Sequence, residues 1–321
     1  MTTLEFPSDW AHVWSDPKPA CGGLYRLEPA DFRVDEVLGF DPSGEGEHVY
    51  LHIEKVGQNT QWVMDELARQ LGIKRKLFGH SGIKDRHAIA TQWISFQDPT
   101  RAADFEKLEI PGVRLLDTNS HTKKLRPGMH QENRFELRLH ELTSKADNLA
   151  PLLDVVSKNG FPNYFGEQRF GHDGGNLASG WKLLESRRLK EHKKKSIYLS
   201  ALRSFLFNQV LNQRIRKNLV QELDELDSTG PLWGRGRAKV SEYQQAFERK
   251  MVSDWQPLCD ALEYSGLTQE RRALMVIPAN MHWEWESKDT LRLEFSLPPG
   301  SYATSLIREL GDFTDASKRA E

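Results

Sequence analysis

The sequence predicts an α+β fold, and three observations carry that prediction. Several segments alternate apolar and polar residues with period two, as half-buried strands do. Other segments repeat apolar residues at helical spacing. The two kinds are mixed without the steady strand–helix–strand rhythm of a doubly wound sheet. Taken in chain order, the first alternating run is Val49, Leu51 and Ile53 against Tyr50 and His52. A helix follows, with Thr60 as the expected cap, a stripe of Val63, Met64, Leu67 and Leu71, and Gly72 as the stop. Trp93-Ile94-Ser95-Phe96 is a further strand-like run, and Phe135, Leu137 and Leu139 alternate with Glu136, Arg138 and His140. A Leu- and Val-rich helix then breaks at Lys158-Asn159-Gly160-Phe161-Pro162. Leu202, Phe205, Leu206, Val210, Leu211 and Ile215 give a helix with a basic end, Arg214-Arg216-Lys217. Leu291, Leu293, Phe295 and Leu297 form the last alternating run, expected to return to the first sheet. A turn, Pro298-Pro299-Gly300, leads into a helix expected over 301–310.

Breaks near residue 160 and at Ile277-Pro278 divide the chain into an outer domain, 1–159 and 277–321, and an inserted segment, 160–276. Its 321 residues, 28% charged and 38% hydrophobic, suit a well-solvated protein with a core. No run approaches the roughly 20 apolar residues of a membrane span, and the N-terminus lacks the basic and apolar regions of a secretory signal. Cys21 and Cys259 are far apart and neither lies in a CxxC, which argues against a disulfide framework or a cysteine zinc site. A cytoplasmic location is expected. Nothing in the patterning suggests a coiled coil or an obligate apolar interface, so a monomer is expected.

Net charge is only −2, yet charge is unevenly distributed. Residues 1–60 carry eleven acids against four bases, and residues 186–240 carry thirteen bases against five acids. That asymmetry fits one face turned toward a polyanion. The dense run through Arg187, Arg188, Lys190 and Lys193–Lys195 fits a solvated surface equally well.

The chemistry centres on Gly82-Ile83-Lys84-Asp85-Arg86-His87-Ala88. Here one carboxylate, Asp85, stands at a loop–strand junction, where the strand fixes it and the loop exposes it, so it suits a nucleophile or base. Missing motifs remove rivals. There is no P-loop, no dinucleotide fingerprint after a strand, no zinc-deaminase signature and no GxSxG elbow. Ser81, Asp85 and His87 are too close in sequence for a triad assembled from separate elements.

Several further motifs occur in one order along the chain. They are Glu28-Pro29-Ala30-Asp31-Phe32-Arg33-Val34, Gly44-Glu45-Gly46-Glu47-His48, Asn133-Arg134-Phe135, Pro162-Asn163-Tyr164-Phe165-Gly166-Glu167-Gln168-Arg169-Phe170-Gly171, the run from Leu199 to Asn208, and Gly300-Ser301-Tyr302-Ala303-Thr304-Ser305. With the Asp85 segment, they make nearly the whole chain resemble the TruD family of pseudouridine synthases. That resemblance implies an α+β catalytic domain with a mixed, mainly antiparallel sheet, interrupted by a family-specific α/β insertion over 160–276. It implies a tRNA substrate, isomerised at uridine-13, with no cofactor and no metal. It makes Asp85 the nucleophile and puts Phe32, Asn133 and Tyr302 at the uridine, where the bacterial family generally has Phe in place of Tyr302.

Phe135 is expected beneath the base or in the core, and Lys84 beside the substrate. Lys123, Lys124, Arg126 and Arg169 are expected at phosphates. Burial alone would oppose ionisation of Asp85, so a cation is expected near it. Adjacent side chains of an extended chain point opposite ways, which turns attention from Lys84 and Arg86 to a distant residue such as Arg308. The rival reading is a catalytically silent RNA-binding protein or RNA chaperone using the same cleft.

Overall fold

The computed structural model describes residues 4–6, 21–98, 104–105, 107–143, 146–186, 194–217, 219 and 228–319. In chain order the elements begin with β1 (Gly22–Tyr25), β2 (Phe32–Val37), β3 (His48–Val56), α1 (Thr60–Leu71) and β4 (Gly79–His80). They continue with β5 (Ile89–Gln97), β6 (Val113–His121), β7 (Glu132–His140) and α2 (Ala146–Asn159). The inserted part carries β8 (Phe161–Pro162), α3 (Gly175–Glu185), α4 (Lys195–Arg216) and β9 (Thr229–Leu232). It ends with α5 (Glu242–Met251), α6 (Gln256–Glu263), β10 (Glu270–Ala273) and β11 (Met275–Val276). After it come β12 (Ala279–Trp285), β13 (Leu291–Leu297), α7 (Ala303–Leu310) and β14 (Asp312–Asp315).

The chain forms two compact units. One comprises Ala20–Lys158, Pro278–Gly300 and Leu310–Glu321. The other comprises Asn159–Ile277 and Ser301–Glu309, together with residues 4–6. The short stretch Ser301–Glu309, expected from the sequence in the outer domain, groups with the inserted segment.

The first unit is built on one ten-stranded sheet in the order β12-β13-β7-β2-β5-β3-β6, with β1 beside β7 and β14, and β4 beside β5. Two pairs, β1–β14 and β2–β5, are parallel and the others antiparallel. β13 does return to this sheet. Alternation sets its register: Phe295 lies opposite Phe135 and Leu293 opposite Leu137, so all four apolar side chains share one buried layer. On β3 both Tyr50 and Leu51 are fully buried, so this strand is covered on both faces. Helix α1 lays Val63, Met64 and Leu67 against Leu51, Ile53, Ile94 and Phe96. Its cap is Asn59, whose side chain accepts from the Gln61 N–H at 2.8 Å. Thr60, the expected cap, is instead buried inside the first turn, where its hydroxyl bonds Gln92 on β5 and the Lys84 N–H. Gly72 ends the helix in the left-handed conformation (φ +66°).

The second unit packs around α4. Leu199, Leu202, Phe205, Leu206, Val210 and Leu211 are all buried there, and so are Asn208 and Asn212. These two asparagines have structural work. Asn208 accepts from Phe165 N–H and donates to Phe165 C=O, both at 3.0 Å, and Asn212 accepts from the Tyr164 hydroxyl at 2.6 Å. The Leu199–Asn208 motif thereby holds the Pro162–Gly171 motif in place. Among the described residues, no helix is long and apolar enough to cross a membrane.

Candidate active site

The Asp85 loop belongs to the first unit and is tied down from three sides. The Thr60 hydroxyl accepts from Lys84 N–H at 3.0 Å and donates to Gln92 Oε1 at 2.8 Å. The Lys84 ammonium turns inward to a buried ion pair with Glu36. Burial pushes the Glu36 carboxyl up against the pull of Lys84. Lys55, also buried, donates to the Asp85 carbonyl and to Gln58 C=O. Desolvation brings the Lys55 ammonium down to about 8. With both flanking backbone groups held, the Asp85 side chain faces outward at 29% exposure. Ile83 is exposed beside it.

The cation that meets Asp85 is Arg26; Arg308, the residue expected there, lies on α7 and belongs to the second unit. Arg26 Nη2 donates to Asp85 Oδ2 at 2.5 Å, and Nη1 donates to Asp315 Oδ2 at 2.9 Å. Its side chain is 2% exposed. The guanidinium lies 4.0 Å above the Phe32 ring. Arg26 also adopts a left-handed backbone (φ +61°), a costly conformation for a side chain of this size. Phe32 is buried and meets Phe135 edge-on at 6.1 Å, and Phe135 stacks on Phe295 at 5.4 Å. Phe32 is therefore the platform under Arg26, and Phe135 is part of the sheet core.

Asn133 lies opposite Glu36 in the β2–β7 pair and is buried. Its Nδ2 donates to His130 Nε2 at 3.0 Å, which leaves the His130 Nδ1 proton facing Ser81 Oγ at 2.7 Å. Ser81 Oγ also accepts from the His130 N–H at 2.6 Å. Desolvation, with Lys84 nearby, lowers His130 to about 4, so the ring is neutral at ordinary pH. The other amide atom, Asn133 Oδ1, is buried without a donor. Gly82 leaves room for this cluster: a Cβ there would lie 2.9 Å from Lys84 Nζ and 3.3 Å from His130 Cε1.

Of the other expected residues, Lys123 and Arg126 are exposed on the β6–β7 loop. Lys124 is half-buried, donates to Lys76 C=O at 2.8 Å, and is held below the usual lysine range by desolvation and by Arg75 and Arg126. Tyr302 and Arg169 belong to the second unit. There Arg169 Nη2 donates to the Tyr302 hydroxyl at 2.8 Å and Nη1 to Ser200 Oγ at 3.2 Å. Of the basic run, residues 187–193 lie outside the described residues. Among the described residues no three His, Cys, Asp or Glu side chains are arranged to hold a metal ion.

Residues 11–179 match the family model of tRNA pseudouridine synthase D (TruD). The chain belongs to this family. The TruD relatives named tRNA pseudouridine synthase D include one from Cellvibrio japonicus, 43% identical over 89% of this chain and 88% of its own length. Another, from Hydrogenovibrio crunogenus, is 40% identical over 91% and 94%, and one from Aeromonas hydrophila is 37% identical over 91% of each chain. A solved TruD structure from Methanosarcina mazei has the same fold, with a TM-score of 0.68 over 95% of this chain and 97% of that one, at 19% identity.

Sequence reasoning missed Arg26, Lys55, His130 and Asp315. Arg26 stands only two residues before the Glu28–Val34 motif, yet its partners lie 59 and 289 residues away. No local spacing announces such a pair.

Proposed function

We propose that this protein is a tRNA pseudouridine synthase that isomerises uridine-13 of tRNA, with Asp85 as the nucleophile. The observation that carries the reading is the Asp85 carboxylate, partly exposed on a fixed loop and paired with the buried Arg26. The curated TruD relatives bear the corresponding name over most of their length.

The reaction breaks the C1′–N1 bond, turns the uracil and rejoins it through C5. N1 gains a proton as C5 gives one up, so the formula of the RNA is unchanged. A carboxylate serves each of three routes: attack on C1′, attack on uracil C6, or removal of the 2′ proton toward a glycal. Arg26 places a buried positive charge directly beside that carboxylate. The target base must leave its stack, at a cost of a few kcal/mol. Asn133 Oδ1 is an acceptor without a donor and suits the N–H of a uracil edge. Tyr302, its hydroxyl held by Arg169, offers a stacking face worth about 1–3 kcal/mol per base. Lys123, Arg126 and Arg169 suit phosphates, whereas Lys84 is enclosed against Glu36 and supports the loop.

The test is pseudouridine mapping on an unmodified tRNA transcript, with wild type and Asp85→Ala, without added metal. Pseudouridine at position 13 with wild type alone is the expected result. Tight tRNA binding without pseudouridine from either protein would replace the enzyme by the RNA chaperone.

A further inference from the structure

We propose that Asp315 is a positioning residue of this site: it restrains Arg26 to a one-nitrogen contact with Asp85 and so keeps the second carboxylate oxygen open for attack. The inference rests on the reading of Asp85 as the nucleophile.

Arg26 divides its fork between two carboxylates. Nη2 goes to Asp85 Oδ2 and Nη1 to Asp315 Oδ2. The two acids differ in setting. The Asp315 side chain is 6% exposed and the Asp85 side chain 29%, so Asp315 is the anchor and Asp85 the working end. Asp315 is itself held firmly. Its Oδ1 accepts from Ser317 N–H at 3.2 Å and from the Ser317 hydroxyl at 2.7 Å. Strand β14 runs parallel to β1 and sets Asp315 opposite Tyr25. The Tyr25 phenol also bonds Asp315, and burial and this neighbouring carboxylate push the phenol well above its usual range.

Arg26 has few other restraints on its orientation. Its Nε is buried without an acceptor, and the Phe32 ring beneath the guanidinium offers no carboxylate or carbonyl oxygen to set its rotation. Rotation is decided by which oxygens the two Nη atoms reach. A guanidinium facing a single carboxylate favours the bidentate, fork-to-fork arrangement. Asp315 removes the end-on Nη1/Nη2 fork by occupying Nη1, and the side-on Nε/Nη2 fork is not formed either, since Nε has no acceptor. Among the described residues nothing donates to Asp85 Oδ1, so that oxygen keeps its lone pairs for the substrate. The last strand of the chain thus acts on a loop more than two hundred residues earlier through one arginine.

The experiment compares wild type with Asp315→Ala and Asp315→Asn in single-turnover isomerisation of a tRNA transcript, alongside tRNA affinity and the structure of each variant. The asparagine keeps an acceptor for Arg26 Nη1. Its rate is expected to stay within about threefold of wild type, while the alanine variant loses roughly 10- to 100-fold with affinity unchanged. In the alanine structure Arg26 is expected on both oxygens of Asp85. Where alanine does not fold, Asp315→Ser replaces it. A full wild-type rate in the alanine variant, an equal loss in both variants, or a loss confined to affinity overturns the proposal. So does an unmoved Arg26 in the alanine structure, a readout that holds even if wild type proves inactive on tRNA and the enzymatic reading fails.

Discussion

Single buried groups give this site its pH behaviour. His130 is neutral in the fold because burial and the Lys84 ammonium both oppose its proton, which brings it to about 4. The unfolded chain takes up that proton near pH 6.5. The unfolded state therefore binds more protons between about pH 6.5 and 4, and stability falls as pH falls through that window. The contribution is of the order of 3 kcal/mol, fully present above pH 6.5. Urea denaturation of wild type and His130→Gln at pH 7 and pH 4.5 measures it: wild type should lose more of its stability, and equal losses would contradict the buried neutral ring. Lys55 behaves in the same sense at the other end of the scale. Its folded value of about 8 lies below the ordinary lysine value. Stability should thus rise with pH from about 8 to 10, where the unfolded lysine is still protonated. Lys55→Met should flatten that rise, read from melting temperatures across the alkaline range. Neither residue carried a sequence signal, because desolvation is a property of what packs around a side chain. Asp85 did carry one, since a carboxylate between glycine turns and a strand is visible in the chain itself. Its partner was not, because an ion pair across 59 residues leaves no spacing to read.

Elements explain why some motifs that suggested function are architectural. In Gly44-Glu45-Gly46-Glu47-His48, Gly46 has φ +107°, and a Cβ there would lie 2.4 Å from the His121 carbonyl oxygen. The segment passes closely over the end of β6 to enter β3, and only glycine permits both the turn and the approach. Gly44 shares a left-handed φ of +76° but has open space around it. Gly46→Ala should therefore cost about 2–4 kcal/mol, and Gly44→Ala about 1 kcal/mol. Chemical denaturation of the two variants separates these, and equal costs would refute the close approach as the cause. Strands were the most legible elements, because alternation survives wherever one face packs, as on β7 and β13. Helix α4 was legible from its apolar residues alone. Its two buried asparagines, which hold the Tyr164–Phe165 segment, look in sequence like ordinary surface positions. Helix α1 showed the limit at its start: Asn59 and Thr60 are both competent caps, and the choice was made by Gln92 and Lys84, which draw the threonine inward.

At the scale of the whole chain, charge decides how RNA is held. A net charge of −2 gives no general attraction to a polyanion. Binding must then depend on local clusters of basic residues. The units change over at Asn159 and Ile277, beside a glycine and a proline that break regular structure. Ser301–Glu309 also begins just after a break, Pro298-Pro299-Gly300, but its grouping with the inserted unit is not legible from that turn, because it depends on contacts such as Ser305 to Tyr164 C=O, 141 residues apart. Within the first unit the β6–β7 loop offers Lys123 and Arg126 to solvent, while the Lys124 ammonium is engaged with Lys76 C=O. An exposed cation that neutralises a phosphate releases a counterion and steepens the salt dependence of binding by about 0.7–0.9 in log–log slope. Lys123→Ala and Arg126→Ala should each flatten the slope for tRNA by nearly that amount. Lys124→Ala should flatten it less, because its charge is already partly satisfied within the fold. Binding isotherms between about 50 and 200 mM salt give the three slopes. If all three variants keep the wild-type slope, the loop does not meet the RNA backbone. An equal change in all three would mean that Lys124 leaves Lys76 when RNA arrives, and that the loop rearranges on binding.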